Sequence, residues 1–155
     1  MKQADKIEAV TMAASVLIIC LFGYTAIAKI LDYGTYVSQM KSAPVPYMSL
    51  FAPIIGWLIP LIEVIIVLLL LFDKTRVKGL YGSLVLLIAF EIYISSMLLS
   101  GRSLPCTCGG FIATMGWKTH LIFNAVFIVI SVIAIIYKNI PHNKYSSHQS
   151  AGIDM

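Results

Sequence analysis

Pro53-Ile54-Ile55-Gly56-Trp57-Leu58-Ile59-Pro60-Leu61-Ile62-Glu63-Val64-Ile65-Ile66-Val67-Leu68-Leu69-Leu70-Leu71-Phe72 holds one ionisable residue in twenty. An α-helix needs roughly 20 predominantly apolar residues to cross the hydrocarbon core of a bilayer. No water reaches that depth, so the backbone must pair with itself, and a helix does so within one segment. Three more stretches read the same way: Val10 to Lys29, Gly79 to Leu99 and Thr119 to Tyr137. The whole 155-residue chain agrees, being 59% hydrophobic and 12% charged, with a mean hydropathy of +0.91. Those values exclude an ordinary soluble domain. The expectation is an all-α integral membrane four-helix bundle over residues 1–140, followed by a polar cytoplasmic tail over 141–155.

Between the first two spans, Leu31 to Ala52 is long and mixed. Tyr33, Tyr36, Val37 and Met40 alternate with Ser38, Gln39 and Lys41. This spacing predicts a short interfacial helix in the first outer loop, stopped by Pro44-Val45-Pro46. Such a helix either covers the loop between the third and fourth spans or packs on lipid. The first span also ends in Ala26-Ile27-Ala28, which mimics a signal-peptide cleavage site. Asp5 and Glu8 beside Lys2 and Lys6, with a long apolar core, favour a retained membrane helix. In the tail, His142 and His148 are too far apart for a metal motif, and the segment reads as disordered.

Four spans put the N-terminus, the second loop and the C-terminus on one side. Those segments carry Lys2, Lys6, Lys74, Arg76, Lys78, Lys138 and Lys144, against Lys29, Lys41, Arg102 and Lys118 opposite. Seven against four predicts cytoplasmic termini. Trp57 and Trp117 then fall at the outer ends of their helices, where indoles favour the interface. The location expected is a bacterial inner membrane, with the third loop facing the periplasm.

That third loop contains Cys106-Thr107-Cys108-Gly109-Gly110. A bridge between cysteines this close encloses almost no chain and gains little from loop entropy. Its small ring would be strained, and strained disulfides are the labile or catalytic ones. Arg102, Lys118 and His120 supply nearby positive or protonatable groups that favour thiolate. Pro105 fixes the backbone before the pair, and Gly109-Gly110 permits a sharp turn after it. The competing reading is an inert disulfide or unused thiols. Cys20, alone in the middle of the first span, reads as a small buried hydrophobe.

His120 opens the fourth span with Asn124 one turn below on the same face. It could move protons for thiol exchange or bind metal with the two sulfurs; an interfacial histidine held by backbone or lipid is the plainer reading. Glu63 and Glu91 lie near the middles of their spans, where an ionisable side chain is costly and turns to the bundle interior. Lys29, Tyr93, Ser95 and Ser96 are candidate partners. A proton relay and a purely structural interhelical hydrogen bond both fit. Pro60, one turn before Glu63, is expected to bend its helix.

At these residues the chain resembles the MauE/DoxX-like redox-associated membrane proteins. The resemblance rests on Leu21-Phe22-Gly23-Tyr24 with Lys29, on Ile59-Pro60-Leu61-Ile62-Glu63, and on Pro105-Cys106-Thr107-Cys108-Gly109-Gly110. It is completed by Trp117-Lys118-Thr119-His120-Leu121-Ile122-Phe123-Asn124. It covers about Leu21 to Tyr137. The resemblance implies a four-helix membrane protein in thiol–disulfide traffic, carried by Cys106, Cys108 and His120. The MauE-type protein of methylamine utilisation is associated with disulfide formation in a partner enzyme, alongside a thioredoxin-like protein.

The leading expectation is therefore a membrane thiol–disulfide oxidoreductase, or an accessory subunit of one. Cys106 or Cys108 attacks a partner sulfur and the other resolves the mixed disulfide. The partners expected are the lipid bilayer and an extracytoplasmic thioredoxin-like or other protein. Electrons could pass to a quinone in the bundle, as in other four-helix disulfide enzymes, but those typically have a second dithiol. Two alternatives stand beside it: a Cu(I) or Zn(II) site of Cys106, Cys108 and His120 or Met115, and a non-enzymatic subunit of an envelope complex. No basic run with interleaved aromatics, phosphate-binding glycine loop or hydrolase triad is present, so nucleic acid is not an expected partner.

Overall fold

The computed structural model describes residues 2–42, 46–99 and 117–139. Five α-helices account for nearly all of them: α1 Lys2–Leu31, α2 Tyr33–Lys41, α3 Met48–Leu71, α4 Arg76–Leu99 and α5 Trp117–Asn139. Four contain apolar windows long enough to cross a membrane, Ile7–Leu31, Met48–Leu71, Arg76–Ser96 and Lys118–Lys138. They form an up-and-down bundle in which α1 packs on α3, α3 on α4, α4 on α5 and α5 back on α1.

The helices start earlier than the apolar spans do. The largely polar stretch from Lys2 to Glu8 extends α1 by about two turns. Met48 to Ala52 precede Pro53 in α3, which passes through both Pro53 and Pro60. Each proline removes one backbone donor, yet the helix persists because no competing solvent is available in a membrane setting. Its first turn rests on Tyr47, which is left-handed at φ 63° and accepts from the Leu50 and Phe51 amides at 3.0 and 3.3 Å.

The surface distinguishes this bundle from a soluble one. Val16, Leu17, Ile54, Leu61, Val85, Ile92, Ile122 and Val129 are all exposed. Meanwhile Thr11, Ser15, Thr25, Lys29, Glu63, Ser83, His120, Asn124 and Ser131 are buried. Apolar groups outside and polar groups inside is the distribution that lipid as solvent demands. Several buried hydroxyls bond back to their own helix, as Ser15 does to Thr11 O at 2.8 Å and Ser131 to Phe127 O at 2.8 Å.

Cys20 departs from its expected place. It is exposed on α1, because the inward stripe of that helix runs through Ala14, Ile18 and Phe22. Two residues from either Ile18 or Phe22 is a rotation of about 200°, which points Cys20 to the outer surface.

The short helix α2 is found where predicted, but it packs on protein rather than on lipid alone. Its Tyr36, Val37 and Met40 form a small core with Ala52 of α3. Gly56 makes the close approach feasible: a Cβ there would stand 2.6 Å from Val37 Cγ2 and 3.2 Å from Tyr33 Cε2. The Tyr33 hydroxyl donates to Pro53 O at 2.9 Å, and its ring lies 5.0 Å from that of Trp57. At the other end, α3 turns into α4 through Asp73 to Thr75. Thr75 Oγ1 donates to Leu69 O at 2.8 Å, and Arg76 pairs with Asp73.

Candidate functional site

A polar centre lies inside the half of the bundle nearest α2. Lys29 lies in the last turn of α1, on the inward stripe with Thr25 and Phe22. Its side chain is only 3% exposed and forms an ion pair with Glu63, which is fully buried on α3. Thr25 Oγ1 also donates to Glu63 Oε1, at 3.2 Å. A buried carboxylate must gain such partners to offset its lost hydration. The second oxygen, Oε2, is buried and has no hydrogen-bond donor among the described residues. Lys29 Nζ also stands 5.0 Å from the centre of the Phe90 ring and 5.9 Å from that of Tyr36. Aromatic faces at these distances attract the cation.

On the opposite wall, α5 presents His120 and Asn124 one turn apart on one face, 7% and 6% exposed. Asn124 Nδ2 donates to Leu87 O and to Glu91 Oε2, both at 3.0 Å, and so ties α5 to α4. Glu91 is thus held by Asn124, while Ser96 turns back to Tyr93 O at 2.7 Å. The two centres meet across a cavity of about 40 Å³. Thr25, Lys29, Glu63, His120 and Asn124 line it together with Leu21, Phe22, Leu87, Phe90 and Phe123. Its volume accommodates a water molecule or two, and its lining offers the several polar partners that a buried water needs.

A larger pocket of about 190 Å³ adjoins it, sharing Lys29 and Phe90. Met40 of α2, Ile59 of α3 and Tyr93 of α4 contribute to its walls. Lys29 therefore separates a small polar cavity from a mainly apolar one.

Glu63, Glu91, His120 and Asn124 are thus brought into one region. Of the candidate partners, Lys29 is the one that pairs with Glu63, and Thr25, which sequence reading missed, joins it. The signal was present: Thr11, Ser15, Thr25 and Lys29 fall on the same face of α1 at helical spacing, and small polar residues mark the interior of a membrane bundle. Cys106 and Cys108 lie outside the described residues, as do Arg102, Pro105, Met115 and the tail over 141–155. The segment carrying the two cysteines joins Leu99 of α4 to Trp117 of α5. His120 is three residues into α5 from that junction. Among the described residues, no group of three or more His, Cys, Asp or Glu side chains could hold a metal ion.

A protein-family model described as "Methylamine utilisation protein MauE" matches residues 7–137. No curated protein and no solved structure matches the chain.

Proposed function

Because the chain belongs to the MauE family, and is a multi-pass membrane protein with four apolar helices, we propose that it exchanges disulfides with a partner protein through Cys106 and Cys108. The observation that carries this reading is the position of the buried polar centre. Leu99 and Trp117, which bracket the dithiol segment, close the same end of the bundle that contains His120, Asn124 and Glu91.

In this reading one cysteine attacks a partner sulfur as thiolate, and the other releases the partner by forming the intramolecular bond. His120 accepts or returns the thiol proton at the base of the loop. Asn124 and Glu91 fix the α4–α5 seam beneath it, and the Lys29–Glu63 pair fixes α1 against α3. A chain with three cysteines, one of them exposed on α1, has no second dithiol, so the pair works with an external protein of thioredoxin-like kind or as a subunit of a larger enzyme.

The dithiol segment faces the periplasmic side of a bacterial inner membrane, and both termini are cytoplasmic. Lys29 is spent on Glu63 inside the bundle, so the loop charges divide seven to three rather than seven to four. That strengthens the positive-inside assignment.

A redox titration tests the proposal. Purified protein is equilibrated in glutathione buffers of graded potential, alkylated, and its thiol content read by mass. A single two-electron transition assigned to Cys106 and Cys108, and lost in either Cys→Ser variant, is expected. Stoichiometric bound metal that disappears with Cys106→Ser, and no reversible transition, would overturn it.

A further inference from the structure

We propose that the 190 Å³ pocket between α2, α3 and α4 binds the ring of a lipid-soluble quinone, with one ring carbonyl accepting a hydrogen bond from Lys29. This inference rests on the exchange reading above and supplies its electron acceptor.

Size is the first argument. An apolar cavity of roughly 150 Å³ takes up benzene, so about 190 Å³ suits one substituted ring and not a folded acyl chain. Chemistry is the second. Leu86, Ala89, Phe90 and Ile94 of α4 make the walls mainly apolar, and Lys29 is the charged residue in the lining. An ammonium donates three hydrogen bonds, and Glu63 takes one of them.

Charge decides between ligands. Lys29 and Glu63 together are neutral, so an anionic headgroup in the pocket would find no uncompensated positive charge. A hydrocarbon tail would leave the ammonium facing methylenes, a poor exchange for a buried donor. A neutral ring bearing carbonyl acceptors satisfies both conditions. The pocket also lies within the membrane span, where a lipid-soluble ligand resides and a water-soluble one does not.

Position is the third argument. Ile94, on the pocket wall, is five residues before the end of α4 at Leu99, about 8 Å along the helix. The segment with the dithiol begins there. The step balances: the Cys106 and Cys108 thiols lose two electrons and two protons to form one S–S bond. The quinone gains two electrons and two protons and leaves as quinol. The 40 Å³ cavity shared by Lys29, Glu63 and His120 lies beside the ring site as a route for those protons.

Photolabelling tests this on the full chain in nanodiscs, with an azido-ubiquinone analogue as probe and decylubiquinone as competitor. Label is expected on peptides containing Leu86 to Ile94, and decylubiquinone should displace it. Ala89→Phe, which fills the pocket from its wall, should lower labelling by about tenfold or more, and Met40→Phe provides a second filling variant from α2. Cys106→Ser/Cys108→Ser should label as the parent does. Scattered label that decylubiquinone does not displace, or label unchanged in both filling variants while they remain folded by circular dichroism, would overturn the assignment. If labelling fails while partner proteins are still captured through Cys106 or Cys108, only the quinone site is lost. If labelling holds while no partner is captured, the exchange reading fails instead.

Discussion

Replacing Lys29 with Met probes the buried ion pair from its more informative side. Glu63 is fully buried and receives the Lys29 ammonium and the Thr25 hydroxyl on one oxygen, while its other oxygen has no donor among the described residues. Lys29→Met leaves Thr25, at 3.2 Å, as the sole partner of a carboxylate with no access to solvent. Removing one member of a buried pair costs about 3–5 kcal/mol. Glu63→Gln is expected to cost less, about 1–2 kcal/mol, because the amide oxygen still accepts from Lys29 and the cation keeps its aromatic neighbours. The double variant Lys29→Met/Glu63→Gln carries no buried charge and should recover most of the single Lys29→Met loss. Equilibrium unfolding in mixed micelles, followed by circular dichroism, measures all four corners of the cycle. For a chain of this size, 3–5 kcal/mol corresponds to roughly 6–20 °C in Tm. If the two effects add to within about 0.5 kcal/mol, the pair is not coupled and the account of the polar centre is wrong.

Other perturbations follow from the same packing. Asn124→Ala removes hydrogen bonds to both Leu87 O and Glu91 Oε2. At about 0.6–1.7 kcal/mol for each interhelical bond in a membrane bundle, the loss should be roughly 1–3 kcal/mol. Ser131→Ala, whose hydroxyl bonds only within α5, should cost much less in the same unfolding assay. Gly56→Leu drives a side chain into Val37 and Tyr33. An overpacking cost of about 1–3 kcal/mol should free α2, seen as faster amide exchange across 33–41 with α3 unchanged. Tyr47→Asn relieves a left-handed aromatic residue and should raise stability by up to about 1 kcal/mol, read as a higher Tm.

The four spans were legible because the bilayer imposes a simple rule: about 20 apolar residues must hide their own backbone. The same rule exposed Glu63 and Glu91 as residues that turn inward, and the i,i+4 spacing put His120 and Asn124 on one face. Pairing was harder to read. Lys29 and Glu63 are 34 residues apart, and Lys29 was one of several candidate partners for the two glutamates, so only the packing of α1 on α3 singles out the buried pair. Cys20 was misjudged because α1 is apolar on nearly all sides, which hides the usual periodicity. Its small polar residues trace the inner face and leave Cys20 on the outer one. The docking of α2 on α3 turned on Gly56, whose missing side chain is informative only once the facing Val37 is known. The boundary of α3 was set too late because Pro53 reads as a helix start, whereas Met48 to Ala52 already form the first turn and more.

The central claim is that Cys106 and Cys108 exchange disulfides with another protein. The most direct measurement is covalent capture in cells that carry Cys106→Ser or Cys108→Ser in place of the parent, with rapid acid quenching and nonreducing gels. The account predicts that the variant lacking the resolving cysteine accumulates a discrete adduct. That adduct should disappear on reduction and in the double variant, and it should contain a periplasmic protein with its own reactive cysteine. Absence of any adduct from both single variants, with each present in the membrane at the parental level, would contradict it.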